Sequence, residues 1–342
     1  MPHRTFFWFF FPSGLAMLMF IGLPIISSFF QSLHIEPEQI LMEVEKCDPF
    51  GCKTETKVDI EATNKLQEEQ PLGRFNGLGT YGDRNHLAFD EIKEAWTNSS
   101  SIAEFTDILL NLPFYKALLF TLTFCFAVTP PVVVLGFIVA LSVNTITKSL
   151  KGPTIFGVIL PMIVTPLIGS LVLFWMIDAK GILGSVIQFL FDDPNLSLKS
   201  SSQLTWITLI IYGIWHNTPF AFVVFYAALQ TVPQDPIEAA IIDGASRYER
   251  VRHIVSPHLY PVATFIILIC LMDNFRVLEP IIGFAAEGVA QSLSWMIYND
   301  LRSENKMLFG SAGATSMLTI IGVAILLTPV LIRTWREFRT ER

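Results

Sequence analysis

Three ionisable residues interrupt an apolar stretch of this 342-residue chain. Asp273, Arg276 and Glu279 stand in the segment LMDNFRVLEP. Ionisable groups deep in a membrane helix are typical of proton and ion relays. An Asp–Arg pair three residues apart can instead be an ion pair near a membrane surface, where the long arginine side chain reaches outward. We favour the ion pair, because no other apolar block supplies a buried partner charge.

Two side-chain amides are the next candidates for chemistry. Asn217 lies in IWHNTPF and Asn274 in LMDNF. If both segments are helical, the amides lie about 20 and 22 Å from the same end of their helices, at 1.5 Å per residue. They could line a passage for a hydroxylated solute with aromatic neighbours such as Trp215, or hydrogen-bond two helices together. The residues alone support both interpretations. The candidate solute path comprises Asn217, Phe220, Asp273 and Asn274.

The sequence contains none of the common catalytic signatures. It has no G-x-x-x-x-G-K-[ST] loop for a nucleotide and no H-E-x-x-H or G-x-S-x-G motif. No two histidines within one apolar block have the spacing of metal ligands, and His34 and His86 are too few for a metal site. We therefore expect no catalytic site, metal or cofactor in this chain.

These candidates must be positioned by membrane-spanning helices. Hydrophobic residues make up 52% of the chain and charged residues 15%, with a mean hydropathy of +0.51. A helix needs roughly 20 apolar residues to cross a bilayer core of about 30 Å. Six blocks are long enough, which predicts an all-α integral membrane protein with six transmembrane helices. The blocks are residues 6–31, 114–143, 153–178, 205–230, 259–283 and 307–332.

Lysine and arginine are concentrated on one side of the six predicted spans. Ten lie in the short loops and termini of that side, which the positive-inside rule assigns to the cytoplasm. Both termini are therefore predicted to be cytoplasmic. On the other side, residues 32–112 hold 16 acidic against 7 basic residues, a net charge of −9. This charge excludes a nucleic-acid footprint, and turn and helix patterns over residues 73–113 predict a small folded insert.

Two of the four cysteines lie in this exterior segment. Cys47 and Cys52 stand in CDPFGC, with a Pro-Phe-Gly turn between them. In an oxidising compartment this spacing predicts a local disulfide. Cys125 and Cys270 fall inside predicted spans, where buried thiols are expected.

The polar stretch PIEAAIIDGASRYERVRHIVSPHLYP separates the fourth and fifth blocks. We expect a helix with Asp235 as N-cap, Pro236 at the first position and Glu238 at the third, ending or bending at Gly244. A second, basic helical piece is expected to run to Pro257. Three arginines would suit a helix lying on anionic lipid. Small residues around the expected bend would instead allow a protein surface to approach closely, and lipid has no need of such space.

This stretch resembles the EAA motif of the permeases of ATP-binding-cassette (ABC) importers. In that motif, Glu-Ala-Ala is followed at fixed spacing by Gly, then Ile, then X-Leu-Pro. The corresponding residues, including the common Asp-Gly-Ala, are Glu238, Ala239, Ala240, Asp243, Gly244, Ala245, Ile254 and Pro257. Ser256 replaces the usual Leu, and Val251 stands where an aromatic is frequent. From residue 114 to 332 the chain is similar to the sugar-type permeases, relatives of the maltose and glycerol-phosphate systems.

The resemblance implies a type I importer permease of the MetI-like fold, with an exterior insert after the first helix. It implies a first helix over 1–31, an insert over 32–113, a five-helix core over 114–332 with the EAA loop at 231–258, and a cytoplasmic tail over 333–342. It further implies location in a bacterial inner membrane. The implied partners are a second six-helix permease, an exterior solute-binding protein and a cytoplasmic ATPase dimer that binds ATP and Mg²⁺.

The implied function is ATP-driven import of a sugar or related polyhydroxylated solute, with the EAA loop as the coupling element. Two alternatives belong to other classes. An ion-coupled secondary transporter would need buried charges and inverted repeats. A structural membrane protein would have no need of the motif's fixed spacing.

Overall fold

The computed structural model describes residues 2–35, 40–48, 51–70, 72–193, 196–199, 201–302 and 308–340. In chain order the helices are α1 (Pro2–Met17), α2 (Leu23–Ser32), α3 (Ile60–Glu69), α4 (Gly79–Gly82), α5 (Phe89–Asn98), α6 (Ile102–Asn111), α7 (Pro113–Thr145), α8 (Lys148–Ile163), α9 (Pro166–Met176), α10 (Ile182–Phe191), α11 (Ser202–Leu229), α12 (Gln234–Ile242), α13 (Arg247–Arg250), α14 (Ser256–Phe275), α15 (Glu279–Gly283), α16 (Leu293–Arg302) and α17 (Phe309–Thr340). The strands are β1 (His34–Ile35), β2 (Leu41–Asp48), β3 (Gly51–Val58) and β4 (Arg74–Phe75). Single π-helical turns join α1 to α2 at Leu18–Gly22 and α13 to α14 at Val251–Val255.

Among the described residues, five helical runs are long and apolar enough to cross a membrane, and a bent pair of helices would make a sixth span. The five runs are Thr5–Ser32, Pro113–Thr145, Ser202–Leu229, Arg247–Phe275 and Phe309–Arg333. They overlap five of the six predicted blocks. The chain is a multi-pass membrane protein, and its spans have the predicted all-α architecture.

The third predicted span, residues 153–178, is broken. Helices α8 and α9 meet at 94°, because Val164 and Thr165 are extended, with ψ of 128° and 145°. A residue before proline is driven out of the helical region, and Pro166 fits the first position of α9. The Tyr212 hydroxyl donates to the Pro166 carbonyl at 2.8 Å and ties the break to α11.

The fifth predicted block, residues 259–283, also contains more than one helix. Helix α14 ends at Phe275, and the short helix α15 begins only at Glu279. Between them Leu278 has a non-helical backbone with φ −140°. Pro280, at the start of α15, has no N–H to continue the preceding helix.

The exterior insert has local structure of its own. Helices α5 and α6 confirm the helical patterns over residues 89–111. Strands β2 and β3 form an antiparallel hairpin, which was not predicted from the sequence. Strands β1 and β4 form a second pair. In the hairpin register Cys47 is opposite Cys52. The side chains of these two cysteines lie outside the described part of the structure.

Contacts divide the chain into two compact units, and the first comprises Met1–Lys116 with Met296–Gly322. Within it, the insert is anchored on α17 by His86, which is 1% exposed. Its Nε2 atom lies 3.1 Å from the Thr315 hydroxyl and 3.2 Å from the Ser311 carbonyl. Helix α2 approaches α17 closely, since a Cβ on Gly313 would lie 2.7 Å from the Ser28 carbonyl oxygen. The small residues of GSAGATS, residues 310–316, therefore allow α17 to pack closely against α2.

The second unit comprises Ala117–Trp295 with Val323–Arg342. Its core is built where α7, α11 and α14 pack together, with Phe120, Tyr212, Phe222 and Phe275 almost fully buried. Helices α7 and α11 come close enough that a Cβ on Gly136 would lie 2.5 Å from the Ala221 Cβ. This core holds the two candidate amides and the base of the polar loop in place.

Candidate functional site

The polar loop between α11 and α14 presents an exposed face made by α12. Ile237 packs against the core and Val232, just before α12, is buried. Ile241 is 53% exposed and Ile242 86% exposed. Glu238 and Ala239 are also exposed. One side of α12 is thus held by the rest of the chain, and the other side is free to meet another molecule.

Helix α12 ends in a backbone arrangement that explains the motif's small residues. Gly244 has φ +78°, a left-handed conformation that glycine adopts without steric cost. Its N–H donates to the Ile241 carbonyl at 3.1 Å. The Ala245 N–H donates to the Ala240 carbonyl at 2.9 Å. This pair of bonds is a Schellman motif, so Ala240, Gly244 and Ala245 together reverse the chain after α12.

The start of α12 differs from the prediction. The N-cap is Pro233 rather than Asp235, and the helix begins at Gln234, so Pro236 is not its first residue. The ring of Pro233 fixes φ at a value that suits this N-cap position. The capping box lies one helix later, where the Ser246 N–H donates to Glu249 Oε2 at 2.6 Å and the Glu249 N–H to Ser246 Oγ at 3.3 Å. Asp243 is the C-cap of α12.

The second helical piece does not stop at Pro257 as expected. From Arg247 to Phe275 the chain is one helical run, with a π turn at Val251–Val255. Within it the Ser256 N–H bonds the Val251 carbonyl, five residues back. A proline in a helix crowds the carbonyl four residues earlier, and widening the preceding turn makes room for Pro257. Ile254, the motif's isoleucine, lies in this turn and is half-buried.

We call residues 234–250 the elbow: two short helices joined by a tight, capped turn. Each end of that turn is closed by backbone and side-chain hydrogen bonds, and the second helix continues directly into α14. A force applied to α12 is therefore transmitted to a span rather than absorbed by a loose loop.

The structure brings the two candidate amides into contact. Asn217 Nδ2 donates to Asn274 Oδ1 at 3.0 Å, and Asn274 Nδ2 donates to Thr129 Oγ1 at 3.1 Å. Asn274 is 2% exposed, whereas Asn217 is half-buried. Thr129 was not among the residues predicted for this site. In the sequence it is recognisable only as a hydroxyl-bearing residue next to two prolines in a predicted span. Phe220 packs against the core of the unit.

Asp273 and Arg276 form an ion pair, as favoured from the sequence. The distance from Arg276 Nη2 to Asp273 Oδ1 is 2.8 Å, and the side chains are 76% and 52% exposed respectively. The pair therefore lies at the surface of this chain, outside its buried core.

A multi-pass helical protein with a stiff polar elbow between two spans, and with amides joining those same spans, has the architecture of a transport permease. Residues 102–341 match the family described as "Binding-protein-dependent transport system inner membrane component". The chain belongs to this family.

Curated relatives include sugar and glycerol-phosphate permeases. The trehalose/maltose transport system permease protein of Thermococcus litoralis is 32% identical over 137 residues, which cover 37% of this chain and 45% of that protein. A probable starch degradation products permease of Thermoanaerobacterium thermosulfurigenes is 27% identical, covering 42% and 54%. The chain thus spans about half the length of these two relatives. An sn-glycerol-3-phosphate permease of Yersinia enterocolitica is 28% identical, covering 67% and 77%.

Two solved structures have the same fold. A chain of a bacterial alginate ABC transporter, in complex with an alginate pentasaccharide-bound periplasmic protein, matches with a TM-score of 0.58 and 18% identity, covering 71% of this chain and 85% of that one. A second structure, of a bacterial ABC transporter involved in alginate import, matches with a TM-score of 0.56 and 16% identity, covering 81% and 97%.

Proposed function

We propose that this chain is the translocating permease subunit of an ATP-driven, binding-protein-dependent importer of a sugar or related polyhydroxylated solute. The observation that carries the proposal is the elbow, whose exposed isoleucines and doubly capped turn continue into a span. The chain contributes no catalytic group of its own. A partner ATPase dimer binds ATP and Mg²⁺ and hydrolyses the nucleotide, and the elbow couples that motion to alternating access.

The other partners follow from the same family. A second six-helix permease pairs with this chain, and a solute-binding protein delivers solute on the opposite side of the membrane. The elbow and both termini lie on the cytoplasmic side, as the distribution of lysine and arginine supports.

Within the solute path we propose unequal roles for the two amides. Asn274 has both side-chain groups engaged inside the helix packing, so it positions its neighbour. Asn217 keeps its carbonyl oxygen and one N–H for a solute hydroxyl. Phe220 offers an apolar wall, and Asp273 immediately precedes Asn274 on the same helix.

The test uses the complex copurified with its ATPase and second permease, reconstituted in liposomes with the solute-binding protein. Uptake of maltose, trehalose, sn-glycerol 3-phosphate and an alginate oligosaccharide is measured with and without internal ATP. ATP-dependent uptake of at least one member is expected. Uptake driven by an ion gradient without ATP would establish a secondary transporter instead.

Variants at Gly244 test the elbow itself. Gly244→Ala and Gly244→Trp impose the same left-handed backbone on a non-glycine residue, and no atom of this chain lies within 4 Å of a Cβ there. Only Gly244→Trp adds a bulky side chain to the exposed surface of the elbow. We expect Gly244→Trp to hydrolyse ATP without uptake, and Gly244→Ala to retain most coupling. Glu238→Lys, on the same exposed face, is expected to uncouple as well. Unchanged transport in an assembled Gly244→Trp complex would contradict the coupling role.

A further inference from the structure

A second polar site lies at the far end of α11 from the elbow. A half-enclosed cavity of about 520 Å³ opens there, and α11 from Ser202 to Leu229 is about 40 Å long at 1.5 Å per residue. We call it the distal cavity. Its lining comes from the end of α9, the start of α11 and the loop after α15: Phe174, Ile177, Leu198, Lys199, Ser201, Ser202, Thr205, Thr208, Phe284, Ala285, Ala286, Gly288 and Val289. The volume falls within the range of about 300–1,000 Å³ that is common for small-molecule sites.

Lys199 is a hydrogen-bond donor held in place at the wall of this cavity. Its Nζ atom lies 3.0 Å from Asp178 Oδ2 and 3.4 Å from the centre of the Phe174 ring. The side chain is only 23% exposed. An ammonium group has three hydrogens. Among the described residues the carboxylate and the ring take two of them, which leaves the third for an acceptor in the cavity.

The start of α11 lines the cavity with hydroxyl groups. The hydroxyls of Thr205 and Thr208 donate to the carbonyls of Ser201 and Leu204, at 3.0 and 2.8 Å. Their oxygen lone pairs can still accept a hydrogen bond. The first N–H groups of a helix have no partner within that helix. The start of α11 thus offers the cavity both donors and acceptors, as a molecule with several hydroxyl groups requires.

The charges around the cavity favour a neutral ligand. Asp178 neutralises Lys199 by direct contact, and the adjoining loop carries Glu287 between two lining residues. An anion would have to compete with the Asp178 carboxylate for the Lys199 ammonium. The remaining wall, including Phe284 and Val289, is apolar and suits the carbon faces of a sugar ring.

We propose that the distal cavity binds a neutral polyhydroxylated molecule, so that the permease holds its solute at a site separate from the Asn217 passage. The proposal rests on the proposed function for the identity of that solute. The cavity then receives the solute at the end of the spans opposite the elbow, before it passes Asn217.

Gly288 offers a way to probe the distal cavity without disturbing the fold. A Cβ at this position meets no atom within 4 Å, and its φ is not in the left-handed region. Gly288→Cys is labelled with an environment-sensitive fluorophore in the full chain, with Cys47 and Cys52 changed to Ser. Cys125 and Cys270 are 0% and 3% exposed and are not expected to react. Gly152→Cys, which also has open space around its Cβ, is the matched control.

The labelled chain in nanodiscs is titrated with trehalose, maltose and glucose, and separately with sn-glycerol 3-phosphate. We expect a saturable signal from at least one neutral sugar at Gly288→Cys and none at Gly152→Cys. The anion should bind at least tenfold more weakly. A site of millimolar affinity is filled at about 100 mM sugar. No change in fluorescence with any sugar up to that concentration would overturn the proposal. A preference for the anion would overturn it too.

Transport kinetics then test whether the distal cavity serves the transported solute. In the reconstituted complex, Gly288→Phe fills the cavity and Lys199→Met removes its fixed donor. Both should raise the KM for the imported sugar about tenfold, whereas Gly152→Phe should behave as wild type. An unchanged KM in both cavity variants would overturn a role in transport. Failure of the wild type to import any sugar would count against the proposed function, while the fluorescence titration judges the cavity separately.

Discussion

At the scale of single residues, Asn274 connects three helices. Its carbonyl oxygen accepts from Asn217 on α11, and its NH₂ group donates to Thr129 on α7. With 2% of its surface exposed, it has little room for a solute. Asn217 is fixed by one of these bonds and keeps the free polar groups, so the two amides should respond differently to mutation.

Alanine variants separate the two roles. Asn274→Ala leaves the Asn217 amide and the Thr129 hydroxyl without a partner, which costs on the order of 1–3 kcal/mol. We expect a lower melting temperature of the purified chain. Asn217→Ala leaves only the Asn274 carbonyl oxygen without a partner, so the melting temperature should fall less, and the KM for uptake should rise about tenfold. Equal loss of stability in both variants would show that the amides only hold the helices together.

The ion pair at the distal cavity predicts a pH dependence. The Lys199 ammonium, and then the Lys180 N–H, hold the pKa of the Asp178 carboxyl below its ordinary value of 3.8. A lowered pKa means that the contribution of the pair is present above the unfolded-state pKa and is lost as the pH falls through the folded-state value. Sugar binding to labelled Gly288→Cys should therefore be flat from about pH 8 to 5 and weaken only below about pH 4. A transition between about pH 6 and 7 would identify a histidine instead.

At the scale of elements, the sequence pattern predicted the positions of the helices more accurately than the residues at which they begin and end. Five of the six predicted spans are found as single helical runs, because hydrophobic length is a direct requirement of the bilayer. The break before Pro166 was missed because the apolar length of the block was given more weight than the proline, which disfavours a helical Thr165. The cap at Ser246 was missed because the earlier Asp-Pro-x-Glu pattern satisfies the same rule. The Ser246 box caps α13, whereas α12 begins at Gln234 with no side-chain cap.

The capping box at Ser246 predicts a local change in stability. Ser246→Ala removes the hydroxyl that accepts from the Glu249 N–H, at a cost of about 1 kcal/mol. We expect hydrogen exchange of the α13 amides to become about fivefold faster, while the amides of α11 are unaffected. Ser246→Thr keeps the hydroxyl and should restore slow exchange. Equal rates in the wild type and Ser246→Ala would mean that the cap does not hold the elbow.

The hairpin strengthens the prediction of a disulfide. Cys47 and Cys52 are opposed in an antiparallel pair, one step from the Asp48–Gly51 pair that closes the turn. Cross-strand neighbours come close enough for direct side-chain contact, and an isolated hairpin is marginal in water without further support. Protein purified without reductant, denatured and alkylated should carry no label on either cysteine. Two labelled thiols in that peptide would contradict the bridge.

At the scale of the whole molecule, His86 is a buried anchor of the insert. His86 and Thr315 are 229 residues apart in the sequence and 3.1 Å apart in the structure. No periodicity or local motif predicts a contact between residues so far apart in the sequence. The acidic charge of the insert and its last two helices, α5 and α6, were predictable. From the sequence, His86 was considered only as a metal ligand and was rejected in that role. Its burial on α17 gives it a structural role.

Removing the anchor should loosen the insert selectively. His86→Leu leaves the Thr315 hydroxyl without its imidazole partner, whereas His86→Gln can restore one hydrogen bond. We expect trypsin to cleave after Arg84 and Lys93, both exposed, several-fold faster in His86→Leu, with His86→Gln intermediate. ATP hydrolysis by the assembled complex should remain. Identical cleavage rates in all three proteins would show that the insert does not rely on this residue.

The π turn at Val251–Val255 has a consequence for insertions and deletions. Each residue rotates an α-helix by about 100°, and this turn holds one residue more than a regular one. Deleting one residue here would therefore restore a regular α-helical turn and leave Asn274 close to its present angle relative to the elbow. The same deletion in the regular part of α14 before Asn274 would rotate that amide by about 100° away from Asn217. The π turn is thus the place in this helical run where the chain tolerates the loss of a residue without parting the amide pair.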